Sequence, residues 1–135
     1  MKLNMAVANT DEDIIMTSSN KPVMNAVVVE KKSGGDKRFF TDIGKVWTTK
    51  NPDVLSVKLI PGISVNEFSL FVAKEQDLEI NKDEVLSVFV VDGDYWHRVG
   101  SAFSFKASDV KGFNVRMNGN INISGNFVIQ RKKDK

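Results

Sequence analysis

The sequence predicts an all-β fold: two tandem four-stranded antiparallel meanders packed about a pseudo-twofold as a sandwich or a barrel. Three observations carry that expectation. Helical periodicity is nearly absent along the chain. Short β-branched and aromatic runs recur between clusters of Gly, Pro, Asn and Asp. The order of strands and turns in the first half then returns in the second.

Met24 to Lys31 is the first main strand, because the Val27-Val28-Val29 run is too rich in branched side chains to favour helix. Ser33-Gly34-Gly35-Asp36 supplies the positive-φ residues of a hairpin, and the chain returns from Arg38 to Thr48. Asn51-Pro52-Asp53 makes the next turn. Val54 to Ile60 alternates apolar and polar residues, Pro61-Gly62 breaks the strand, and Glu67 to Ala73 alternates again. In the second half Val85 to Val91 is an apolar run and Asp92-Gly93 is a tight-hairpin signal. Tyr95 to Lys106 is a long aromatic strand, Gly112 to Asn118 alternates, Gly119-Asn120 turns, and Asn126 to Arg131 closes the series.

The two halves align. Phe39 to Trp47 matches Tyr95 to Phe103 without a gap, keeping aromatic on aromatic, Ile43 on Val99, Trp47 on Phe103 and Gly44 on Gly100. After a loop two residues longer, Leu55 to Leu59 falls on Phe113 to Met117, and Phe68 and Leu70 meet Phe127 and Ile129. Residues 1–22 read as an N-terminal strand and polar segment, 23–75 as the first β repeat and 76–84 as an acidic linker. Residues 85–131 form the second repeat and 132–135 a basic tail. A single meander of this length leaves too much of its surface wet, whereas two facing each other can bury a common core. That core is expected to hold Ile43, Trp47, Leu55, Val57, Leu59, Phe68 and Leu70 with their counterparts Val99, Phe103, Phe113, Val115, Met117, Phe127 and Ile129. Gly44 and Gly100, mid-strand, mark a bulge or a close backbone approach.

Composition removes whole classes of chemistry. The 135 residues include no cysteine, so disulfides, thiolate metal sites and cysteine nucleophiles are excluded, and one histidine leaves little room for triad or zinc chemistry. His97 has Thr41 as its repeat partner and no second ligand at suitable spacing, which makes it a strand-surface histidine. No glycine-rich loop runs into a helix, so no phosphate cradle is expected. No catalytic residue, metal site or cofactor is therefore assigned, and the protein is expected not to be an enzyme. The absence of a long apolar run and of a basic-then-apolar leader points to the cytoplasm of a host cell, with no membrane partner.

Net charge is +2 but unevenly spread: −2 over residues 1–20, +3 over 21–75, −5 over 76–94 and +6 over 95–135. The last stretch ends in Arg131, Lys132 and Lys133, a cationic tail able to sit on phosphate or an acidic partner.

An aromatic, a polar pair, then Ile/Val-Gly-x-Ala/Val-aromatic, followed by an alternating Val-Lys-Leu strand and a Pro or Gly break, resembles the small uncharacterised β proteins carried by bacterial plasmids and phages. The resemblance covers residues 38–71 and, more weakly, 95–129. It implies a mobile-element origin and no particular activity, and the unit that commonly occurs once in that family stands here in tandem.

Alternation sorts the matched strands into two faces. Phe39, Ile43 and Trp47 with Tyr95, Val99 and Phe103 are expected inward. The opposite face presents Arg38, Phe40, Asp42, Trp96 and Arg98 beside Lys58 and Arg116 of the neighbouring strands. Asp42 and Arg98, opposite charges at matched positions, either pair across the halves or between chains of a homodimer, or are unrelated surface charges. Rings interleaved with cations on an open sheet suit single-stranded DNA or RNA, whose bases stack on aromatics while cations follow the phosphates. The expected nucleic-acid-binding residues are Phe40, Lys58, Trp96, Arg98, Arg116, Arg131, Lys132 and Lys133. The alternatives are a phage or plasmid inhibitor that binds a host defence protein through exposed strand edges, and a virion structural component.

Overall fold

The computed structural model describes residues 21–31, 37–76 and 78–131. Ten strands follow in chain order: β1 (Met24–Lys31), β2 (Arg38–Thr48), β3 (Val54–Leu59), β4 (Ser64–Val65), β5 (Glu67–Val72), β6 (Val85–Asp92), β7 (Tyr95–Lys106), β8 (Lys111–Met117), β9 (Ile123–Ser124) and β10 (Asn126–Arg131). Eight of them close into an antiparallel barrel in the order β1-β2-β3-β10-β6-β7-β8-β5, and β4 pairs with β9 as a separate two-stranded ribbon. The eight long strands are those the alternation predicts, to within a residue at each end. Ser33-Gly34-Gly35-Asp36, residues 1–20 and the tail with Lys132 and Lys133 lie outside the described residues.

Each half departs from a plain meander. The fourth strand of a meander would pair with the third, yet β5 pairs with β1 and β8, and β10 with β3 and β6. Within each half the spatial order is therefore fourth, first, second, third, as in a Greek key. The Pro61-Gly62 turn, where Gly62 has φ 93°, leads into β4 rather than folding straight back. A direct return would leave each half with two open edges; carrying the fourth strand across joins the halves at β3–β10 and β5–β8 and removes every barrel edge.

Buried side chains from all eight strands fill the interior, among them Met24, Val46, Val57, Leu70, Val88, Phe113 and Ile129. Phe68 and Phe127 meet edge to face at 6.1 Å. The acidic segment before β6 does more than link: Ile80 is buried and Leu78 packs on the core. Glu84 holds the Arg131 guanidinium through Nε and Nη2, and Asp53 Oδ1 lies 3.8 Å from Nη1. These contacts hold the Arg131 guanidinium pKa above its ordinary value, chiefly through the hydrogen bond it donates to Glu84.

The inward face differs from strict alternation because β2 and β7 each carry a bulge. Ala26 pairs with Gly44 and Val27 with Asp42, so Ile43 has no opposite residue; likewise Val88 pairs with Gly100 and Phe89 with Arg98, leaving Val99 unopposed. One extra residue reverses the side on which every later side chain falls. Val46 and Ala102 are thus buried, whereas Trp47 is half-buried on the outer wall and Phe103 is 45% exposed. Phe39 and Tyr95, also expected inward, are exposed because they lie beyond the bulge. There β1 with β2, and β6 with β7, run on as two-stranded arms: β1 meets β5 only over Met24 to Val27, and β2 meets β3 only over Gly44 to Thr48.

Candidate functional site

The bulge in β2 turns the first arm over the outer wall formed by β5, β8 and β7. Between arm and wall lies a groove of about 660 Å³ lined by Val27, Val29, Phe40, Phe71, Phe105 and Val110, with Asn25, Arg38, Asp42, Ser69 and Asn114 as its polar groups. A second basin of about 500 Å³ adjoins it, sharing Val29, Ser69 and Asn114 and reaching Phe103 and Arg116. Phe40, Phe71 and Phe105 form a ladder of edge-to-face rings, 6.3 Å and 5.7 Å between centroids. Gly112 makes this ladder feasible. It pairs with both Phe71 and Phe105, and a Cβ there would meet the Leu70 carbonyl oxygen at 1.8 Å, so β5 and β8 approach closely under the two rings.

The polar groups are oriented. Lys45 Nζ donates to Asn25 Oδ1 at 2.7 Å, and the Ser69 hydroxyl donates to Asn114 Oδ1 at 2.9 Å. Both amide carbonyls are thereby engaged, which leaves each NH2 group as a donor for a ligand. From the groove floor a row of outward residues crosses the barrel, Asn25 opposite Lys45 and Lys45 opposite Lys58. Among the described residues the ion pairs are Arg116–Glu67, Arg131–Asp53 and Arg131–Glu84, so Arg38, Lys45 and Lys58 have no carboxylate partner there.

The expected binding residues do not share one open face, because the closed barrel puts β2 and β7 four strands apart. Phe40 and Lys58 lie on one wall and Trp96 and Arg98 on the other, while Arg116 borders the second basin beside the groove. Trp96 is half-buried and packs on Phe89 at 5.6 Å, where Val128, an outward position between Phe89 and Ser56, is only 3% exposed. Arg98 donates to Ser87 Oγ at 3.1 Å and Ser101 Oγ at 2.8 Å, so it does not pair with Asp42, and Arg116 lies 3.4 Å from Glu67. Arg131 is engaged instead by Glu84 and Asp53. Sequence reasoning missed Phe71, Phe105, Asn25, Asn114 and Lys45. Phe71 and Phe105 follow from no local pattern, since only the β5–β8 pairing brings them together.

Among the described residues no group of three His, Asp or Glu is placed to hold a metal ion. Compared with protein families, curated proteins and solved structures, the chain matches none.

Proposed function

We propose that this protein is a non-catalytic accessory protein that binds single-stranded nucleic acid, and that it does so on one wall of the barrel, from the Phe40–Phe71–Phe105 groove across Lys45 to Lys58. The observation that carries the reading is the coincidence, on that wall, of an open aromatic groove with three cations, Arg38, Lys45 and Lys58, that form no ion pair among the described residues. Base stacking on aromatic rings contributes about 1–3 kcal/mol per base, and cations beside the rings follow the phosphates. On the opposite wall Trp96 packs over Phe89 and the Arg98 guanidinium is engaged by Ser87 and Ser101. Origin on a mobile element rests on the resemblance of residues 38–71 and 95–129 alone.

The same reading includes an internal duplication about a pseudo-twofold, in which one copy kept an open groove and the other filled it. Matched backbone hydrogen bonds support the duplication. Leu59 N–H donates to the Gly125 carbonyl and Met117 N–H to that of Asn66; Ile60 N–H donates to Ile43 and Asn118 N–H to Val99, both at 2.8 Å. The bulges fall at matched residues, and exchanging the halves leaves the strand order of the barrel unchanged.

Fluorescence anisotropy of labelled oligo(dT) and oligo(U) tests the reading. Binding is expected at low salt, and Lys45→Ala with Lys58→Ala should reduce the slope of log affinity against log salt by about 0.7 per lysine. Absence of binding at low salt defeats the reading and favours a protein partner. That second reading has its own support: β1 beyond Val27 and β7 before Gly100 each have an edge that pairs with no strand among the described residues, which suits strand addition.

A further inference from the structure

We infer that the groove reads a guanine base within the bound strand, with Asp42 as the residue that selects it; this rests on the nucleic-acid reading above. The contrast between the two walls suggests the shape of the occupant. At the positions matched to Phe40 and Val27 the other wall carries Trp96 and Phe89, and there the chain's own indole lies against the phenyl ring at 60°. On the first wall the smaller Phe40 and Val27 leave the space open, so a planar bicyclic ring from outside has the room that the indole takes up opposite.

The polar lining then chooses among bicyclic rings. Asp42 lines the groove and makes no hydrogen bond or ion pair among the described residues. Its carboxylate offers two acceptors and no donor. Asn25 and Asn114, with their carbonyls held by Lys45 and Ser69, present donors. The Watson–Crick edge of guanine is N1–H and N2–H2 as donors beside O6 as acceptor, which two carboxylate oxygens and one amide NH2 complement. Adenine would set its N1 lone pair against a carboxylate oxygen. The matched residue on the other wall is Arg98, whose guanidinium donates to Ser87 and Ser101 and cannot accept from a base.

The test compares oligo(dT) carrying one central guanine with the same strand carrying adenine or hypoxanthine, by anisotropy at low salt. The guanine strand should bind the wild-type protein about tenfold more tightly than the adenine strand, within the discrimination that a bidentate contact supplies. Hypoxanthine, which lacks the N2 amine, should fall between. Asp42→Asn, a substitution of an exposed side chain, should abolish the guanine preference and move it toward adenine, because an amide offers one donor and one acceptor. Equal affinity for the guanine and adenine strands, or an unchanged preference in Asp42→Asn, overturns the guanine assignment while binding of plain oligo(dT) leaves the nucleic-acid reading standing. Failure of every strand to bind overturns both. Guanosine monophosphate should compete only at much higher concentration, since it does not reach Lys58; competition matching the strand's would assign the groove to the free nucleotide instead.

Discussion

Lys45 and Lys58 stand directly opposite each other on β2 and β3, and the nearest polar partner of the pair is the neutral amide of Asn25. Like charges at opposed positions of an antiparallel pair destabilise the sheet. A barrel selected only for stability would not oppose two cations here: the residues aligned with Lys45 and Lys58 are Ser101 and Arg116, which carry one charge between them, and Arg116 has Glu67 beside it on β5. Retaining both cations is intelligible when an anion lies across them.

Lys58→Glu should therefore separate stability from binding. It converts the repulsive pair into an attractive one and should raise the unfolding free energy in urea by about 0.5 kcal/mol. The same change should weaken oligonucleotide affinity by more than the loss of one phosphate contact, because it adds a repelling charge. A variant that is both more stable and an equally good binder would remove Lys58 from the site.

Phe40 and Phe105 should contribute to affinity without carrying the fold. Phe40 is 62% exposed, so Phe40→Ala removes little buried area and should leave the urea midpoint almost unchanged. Its loss should weaken binding by about 1–3 kcal/mol, the worth of one stacked base. Trp96→Ala makes the control. It opens the Phe89 contact on the opposite wall, so it should lower stability and leave affinity for oligo(dT) intact, measured by anisotropy.

The boundaries of the eight barrel strands were legible because apolar alternation and turn residues are local signals. The identity of the wall was not. Period-two counting carried straight through Ile43-Gly44 and Val99-Gly100 assigns Trp47 and Phe103 to the core, whereas the bulge moves both outward. The glycines announce the bulge, but the reversal of faces follows only once the extra residue is counted. Strand order was harder still, since nothing in residues 60–66 distinguishes a return beside β3 from a crossing of the barrel mouth. With the order goes the site, because Phe71 and Phe105 meet only when β5 lies against β8. β4 and β9, two residues each, are too short to leave a periodic trace.

Gly44→Ala and Gly100→Ala test the bulges directly. A Cβ at Gly44 would lie 2.4 Å from the Lys58 carbonyl oxygen, and one at Gly100 would lie 2.6 Å from that of Arg116. Both obstacles are backbone atoms of the adjacent strand, which cannot swing aside as a side chain can. Each substitution should lower stability by about 1–3 kcal/mol, in the range of overpacked cores, with similar values at the two sites if the halves are equivalent. Gly44→Ala should also disturb the groove, since the first arm turns there; Gly100→Ala should not.

Arg131→Met tests whether the cation closing β10 serves the ligand or the barrel. Its backbone N–H donates to the Asp53 carbonyl at 2.8 Å and its side chain spans Glu84 and Asp53, tying β10 to the turn before β3 and to the segment before β6. The Glu84 side chain is only 12% exposed, so removing the guanidinium strands a carboxylate with little access to water. Arg131 itself is 36% exposed, and solvent screening holds the expected loss to about 1–2 kcal/mol in urea unfolding. The sign of the pH dependence follows from the raised guanidinium pKa: its contribution is complete below the unfolded-state value and disappears only as pH climbs through the folded-state value, so from neutrality to mild alkali the wild-type and variant unfolding curves should keep a constant separation. Oligonucleotide affinity should be unaltered, and a variant that binds more weakly while unfolding at the wild-type midpoint would return Arg131 to the binding surface.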